Sequence, residues 1–309
     1  MEWEKRWARP VAILTLLAVA LVIASYVVGA AIGGEENAEI LRSTDEHASA
    51  VVASSLLQAL GFALLAVPLF YLFRAMQVRS DRVRRQLIGL VVIAPLFLAI
   101  STGLSAAARN EAASTFVAGE AKSTLSAKEA NRDCASERED LGAEDFADEF
   151  EPTAGETALS TCEDRKIEDE EASNARSEAS TAAAVSGFGL AGALGLAVAL
   201  FYIGIWTMRT GLLGRFWASL GMALGVAILI GFIPFLLLWL VYVGLLIAGW
   251  LPGGKPPAWA AGEAIPWLTP GEKAAASLEP TDPDPTDPPV SGGDSSGEGG
   301  ERRKRKQRD

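Results

Sequence analysis

The chain has one histidine, His47, and two cysteines, Cys134 and Cys162, in 309 residues. One imidazole and two distant thiols cannot supply the spaced His/Cys ligands of a zinc site, and no Ser/His/Asp set is recognisable. The long apolar runs lack something too: within their boundaries they hold no Asp, Glu, Lys, Arg or His. An ionisable group inside a membrane usually marks an ion or proton path, so its absence argues against a proton-coupled transporter and an intramembrane hydrolase. Basic clusters are equally scarce. The only dense one is Arg302 to Arg308 in the tail, and no stretch has the basic footprint of a nucleic-acid-binding domain. No cofactor, no metal and no enzymatic activity are expected. His47, alone in a polar loop, is expected to be a solvated surface residue.

What the chain does have is apolar length on both sides of an acidic segment. Half of its residues are hydrophobic, and eight are Trp, a side chain that favours membrane interfaces. Residues 109–181 hold twenty Asp/Glu against eight Lys/Arg, a balance of −12, while the whole chain sums to −11. This one segment therefore carries essentially all of the net charge, and both cysteines with it.

The pattern predicts an all-α, polytopic transmembrane helical bundle of six spans. Its outer element is an acidic helical hairpin, and its C-terminal tail is disordered. The first membrane half covers residues 1–108, with spans at about 11–33, 51–73 and 87–107. Trp3, Trp7, Lys5, Arg6 and Arg9 before the first span mark a cytoplasmic end, and the run that follows is longer than the ~7–15 apolar residues of a signal peptide. Residues 34–50 are expected to be a short polar loop. Arg74, Arg79, Arg82, Arg84 and Arg85 form the densest short basic loop between spans, which places that loop in the cytoplasm. Three crossings then put residue 109 outside.

In the acidic segment, strong helix formers predict that the third span continues outward as one helix to about Gly142, a C′ glycine. Residues 151–155 break the chain at the outer tip. Ser160 and Glu163 have capping-box spacing, and a second helix is expected to run from there into the fourth span without a break. The acidic cluster Glu144, Asp145, Asp148, Glu149 and Glu151 lacks the spacing and the glycine of an EF-hand loop and is expected to be a solvated face. With both helix ends near the tip, Cys134 and Cys162 are close enough to pair; two free thiols remain the alternative. The segment offers the membrane halves little apolar surface and is expected to be presented by them without being part of their fold.

The second half covers residues 182–251. Its spans are about 182–208, 216–233 and 234–250, the last two joined at Gly231-Phe232-Ile233-Pro234. A single kinked helix over 216–250 is the alternative. Gly187, Ala191, Gly195 and Ala199 stand at four-residue spacing in the fourth span, and Gly221 and Gly225 in the fifth. Small residues on one face let helix backbones approach. Packing within the chain is the expected use, and a homodimer face the alternative. Gln58, deep in the second span, is expected to hydrogen-bond between helices. Residues 252–309 are a cytoplasmic Pro/Gly-rich segment, expected along the membrane face, followed by the disordered tail.

Trp250-Leu-Pro-Gly-Gly-Lys-Pro-Pro-Ala-Trp259, with Glu263-Ala-Ile-Pro-Trp267, resembles the end of uncharacterised actinobacterial multispan integral membrane proteins. Asp45-Glu46-His47-Ala48, Leu57-Gln58-Ala59-Leu60-Gly61 and Tyr71-Leu72-Phe73-Arg74 resemble the same group. The resemblance implies a fold type and a bacterial lineage, and no catalytic residues. The expected place is therefore a bacterial cell membrane, crossed several times with both termini cytoplasmic. The expected role is a non-enzymatic interaction or accessory protein. Its partners are the lipid bilayer and, at the acidic domain, a protein, wall polymer or cation. A small-solute transporter or channel is the alternative.

Overall fold

The computed structural model describes residues 2–267 apart from 31, 35, 152–156 and 232. Within the chain, Met1–Trp267 form one compact unit. The expected outer tip at 152–155 and the expected disordered tail lie outside the described residues.

All regular structure among the described residues is helical. The elements are α1 (Glu2–Gly29), α2 (Asn37–Glu46), α3 (Ala48–Arg79), α4 (Ile88–Val117), α5 (Ala127–Leu141), α6 (Ala143–Glu149), α7 (Ala158–Glu178), α8 (Ala182–Thr210), α9 (Arg215–Ala227), α10 (Ile233–Ala248) and α11 (Pro257–Ala261). The helices α1, α3, α4 and α8 are long and apolar enough to cross a membrane. At a rise of ~1.5 Å per residue, even 28 residues exceed a ~30 Å hydrocarbon core. The apolar stretch from 215 to 248 is divided into two shorter helices, and Gly231 at φ +82° makes the break between them. A non-glycine residue would be strained in that left-handed backbone conformation.

Six helices form a closed ring. Each packs on the next in the order α1, α3, α4, α8, α9, α10, and α10 returns to α1. Apolar side chains fill the ring, among them Leu65, Leu69, Leu72, Leu200, Trp239 and Val243. The outer faces are apolar as well. Leu190, Leu194, Val198 and Phe201 of α8 are exposed, as are Ile13, Leu17 and Ile23 of α1. Helices apolar on every side suit a lipid surround, where no polar face is needed.

Small residues set the closest approaches, although not all of those expected to. A Cβ built on Gly195 would lie 2.9 Å from Ala94 Cβ, on Gly221 2.8 Å from Trp239 Cζ2, and on Gly225 3.0 Å from the Ala197 carbonyl oxygen. Ala199 is fully buried. Gly187 has nothing within 4 Å of such a Cβ, and Ala191 is exposed. The reason is the helical repeat of 3.6 residues. Positions four apart drift by ~40° per step, so a strict four-residue stripe leaves the contact face within three steps. The face that meets α4 follows Gly189, Gly192 and Gly195 instead, with Gly192 against Leu98 and Gly189 against Ser101. Gln58 is half-buried and makes no side-chain hydrogen bond among the described residues, so the expected interhelical bond is not formed.

The outer part also departs from a plain hairpin. The third span does not continue to Gly142: α4 stops at Val117, a linker follows, and α5 starts afresh at the Ser126/Glu129 capping box. Hydroxyl-rich Ser123-Thr124-Leu125-Ser126 competes with the helix through side-chain bonds, and this outweighs the propensity of its neighbours. Gly142 ends α5 with φ +91°, the expected stop. The cap of α7 lies three residues before the expected one. Thr157 and Ser160 form it, and the chain breaks again at 179–181 before α8.

The polar loop expected over 34–50 is largely helix. Ala38 and Leu41 of α2 are buried against Ala112, Ala113 and Phe116 of α4 and Ala172 and Ala175 of α7. Arg42 pairs with Glu168, and Asn37 donates from its backbone N and Nδ2 to Asp169 at 2.5 and 2.9 Å. The acidic helices therefore share a small core with α2 and do not stand free of it. Cys134 and Cys162 are joined as a disulfide that ties α5 to α7, with Cα atoms 6.0 Å apart and Phe146 and Phe150 packed beside them.

Candidate functional site

The outer ends of α1, α3, α4 and α8 meet α2 and α7 around a cavity of about 540 Å³. The chain folds this way because α4, about 45 Å long at ~1.5 Å per residue, carries Ala112, Ala113 and Phe116 on its C-terminal turns, where α2 and α7 pack. Polar lining comes from Arg109, Arg176, Thr44, Ser54, Ser105 and Ser186. Apolar walls come from Ile32, Ile40, Leu41 and Val185.

The hydroxyls divide into two pairs. Ser54 donates to the Val51 carbonyl at 3.0 Å and Ser105 to the Thr102 carbonyl at 2.6 Å, so both are used by their own helices. Thr44 and Ser186 make no side-chain hydrogen bond among the described residues, which leaves their O–H groups free to donate.

The two arginines differ as well. Arg176 is half-buried and donates to Asn37 Oδ1. Burial pushes its pKa below the ordinary arginine value, the nearby Arg109 charge pushes the same way, and Asp169 opposes both. Asp169 already accepts two bonds from Asn37. Arg109 is exposed and has no carboxylate partner among the described residues. The most acidic part of the chain thus contributes two arginines to the lining of one cavity. Sequence reasoning missed this cavity. Arg109 was the boundary of the acidic segment and Arg176 one cation among many carboxylates, and only the packing of α7 on α4 brings them together.

A second cluster lies at the opposite end of the ring. Glu4 and Arg79 form a buried, two-pronged ion pair, with Nη1 to Oε1 at 2.6 Å and Nη2 to Oε2 at 2.8 Å. Arg79 Nε donates to the Ala258 carbonyl at 3.1 Å, and its guanidinium lies 5.4 Å from the Trp259 ring centroid. Tyr71 stacks on Trp259 and donates to the Glu4 carbonyl at 2.9 Å. The segment after α10 folds back onto this end of the ring. Trp259 Nε1 donates to Leu212 O and Trp267 Nε1 to Leu213 O, each at 2.9 Å. A helix ends with carbonyls that lack partners, and these indoles satisfy carbonyls just beyond α8. The compact unit accordingly runs to Trp267.

Among the described residues no group of three or more His, Cys, Asp or Glu side chains is placed to hold a metal ion. His47 sits at the joint of α2 and α3, where its Nδ1 donates to the Ser43 carbonyl at 3.0 Å.

Among the described residues the regular structure is all helical, with four helices long and apolar enough to cross a membrane. No family model, curated protein or solved structure matches it.

Proposed function

We propose that this chain is a non-enzymatic accessory protein of a bacterial cell membrane. It crosses six times, keeps both termini in the cytoplasm and presents a braced acidic domain outside. The observation that carries this reading is the attachment of the acidic helices. A disulfide, a shared apolar core and ion pairs to α2 hold them in one arrangement while most of their carboxylates face solvent. A surface so held suits recognition by a basic protein, a wall polymer or divalent cations.

Two features support the orientation independently. The disulfide lies at one end of the ring, and disulfides persist in oxidising compartments. Arg82, Arg84, Arg85, Arg209 and Arg215 lie at the other end, which the positive-inside rule assigns to the cytoplasm. The α9–α10 pair supplies the fifth and sixth crossings, each close to the ~17-residue lower limit. Against the transporter reading stands the ring interior, which Leu65, Leu69, Trp239 and other buried apolar side chains fill.

Single cysteines at Ser80, Ser173 and Ser291, in a background without Cys134 and Cys162, test the topology with an impermeant thiol reagent. Intact cells should label only the Ser173 site. Labelling at Ser291 rejects the even number of crossings. Proximity labelling from the outer domain then identifies the partner.

A further inference from the structure

We propose that the cavity beneath the acidic domain binds a phosphate group, held between Arg109 and Arg176 with Thr44 and Ser186 as hydroxyl donors. Those four residues line one space, and each has donor capacity that its neighbours leave unused. Arg109 and Arg176 line one space and are close enough for the Arg109 charge to act on Arg176, an arrangement that an anion in the cavity stabilises. A carboxylate would bring one charge and two oxygens. Two guanidinium forks and two hydroxyls offer more than it can accept, and they match the charge and the tetrahedral oxygens of a phosphate.

The surrounding net charge of −12 over residues 109–181 makes the positive cavity a local exception. Free phosphate compounds must therefore enter past carboxylates, whereas a lipid headgroup arrives from the bilayer side. Ile40, Leu41 and Val185 give the cavity apolar wall that an acyl or glycerol portion can cover. The phosphate chemistry is common to both sources, and the experiment separates them. The site acts whether or not the acidic outer face has a partner.

The full-length, oxidised protein is purified in zwitterionic detergent and in nanodiscs. Inorganic phosphate is titrated by calorimetry in the detergent sample. Retention of phosphatidylglycerol against phosphatidylcholine is measured by native mass spectrometry in the nanodisc sample. At least one probe should bind the parent protein. Arg109→Gln should weaken that binding about tenfold or more, since charge-assisted bonds are among the stronger hydrogen bonds. Arg109→Lys should fall between the two, because an ammonium keeps the charge and loses the fork. Arg42→Gln, whose charge is used on Glu168, should bind like the parent. Arg109 has no carboxylate partner among the described residues, so its variant should keep the parent's thermal midpoint without ligand. Phosphate binding without lipid retention identifies a soluble phosphate compound, and the reverse identifies a headgroup; either supports the site. If neither probe binds, or if Arg109→Gln binds as the parent does, the proposal fails.

Discussion

Arg79 shows how differently one side chain reads alone and in place. In the sequence it is one of several arginines after the second span, a vote for the cytoplasm. In the structure it is fully buried, paired with Glu4 and capped by Trp259. Taking both charges out of water costs much of what their attraction returns, so the net stability of the pair is modest. Removing one partner is another matter. Arg79→Met leaves the Glu4 carboxylate buried and unpaired and should cost about 3–5 kcal/mol. The double variant Glu4→Gln with Arg79→Met removes both charges and should recover part of that loss. Thermal unfolding of the three proteins in one detergent checks the order; a double variant no better than the single one would reject it. The glycines teach a related lesson. Gly195, Gly221 and Gly225 were legible as packing residues because close helix approach needs small side chains. Gly187 and Ala191 were not distinguishable from them, since a four-residue spacing does not follow a 3.6-residue helix around its axis.

Among the elements, the apolar helices were the most legible, because twenty or so apolar residues without charge admit few other structures. The breaks were less so. Gly142 and Gly231 announce themselves, as only glycine suits their backbone angles, but the linker between α4 and α5 is made by bonds that lie far apart in sequence. Glu170 of α7 accepts from Ser123, from Thr124 at 2.6 Å and from the Leu125 backbone N–H at 2.6 Å. The Ser123 hydroxyl foremost, and then that of Thr124, holds the Glu170 carboxyl below the usual carboxylate value. A carboxylate with a depressed folded pKa contributes its stability above its unfolded pKa and loses it as pH falls through the folded one. The linker should therefore stay pinned at neutral pH and loosen from about pH 4 downward. Hydrogen-exchange protection of the Leu125 amide, corrected for the intrinsic rate at each pH, should fall over that range. Glu170→Gln should give low protection with little pH dependence. A parent protein with flat protection down to about pH 2 would show that this contact does not hold the linker. The cavity with Arg109 and Arg176 was illegible for the same reason as the linker: neither arginine has a local signal, and α7 brings them together from 67 positions apart in the chain.

For the whole molecule, the acidic helices and the apolar ring are less separable than charge alone implies. Replacing residues 110–180 with a short Gly/Ser loop removes Ala112, Ala113, Phe116, Ala172 and Ala175, the residues that bury Ala38 and Leu41. The ring has its own core and should still insert. The α2 helix loses its partners, and ten residues are too few to hold an isolated helix in water. Trypsin applied from outside should then cut at Arg42 in the shortened protein and spare it in the parent. Equal resistance in both would mean that α2 is held by the ring alone. The ring has one more consequence, for the order in which the molecule is made. Its first helix, α1, has α3 on one side and α10 on the other, and α10 leaves the ribosome some 200 residues after α1. Until then α1 has one flank open, and the Arg79 guanidinium that pairs with Glu4 lacks the Trp259 ring that lies over it. Closure is therefore a late event in biosynthesis. A nascent chain that stalls before residue 233 leaves that flank of α1 uncovered.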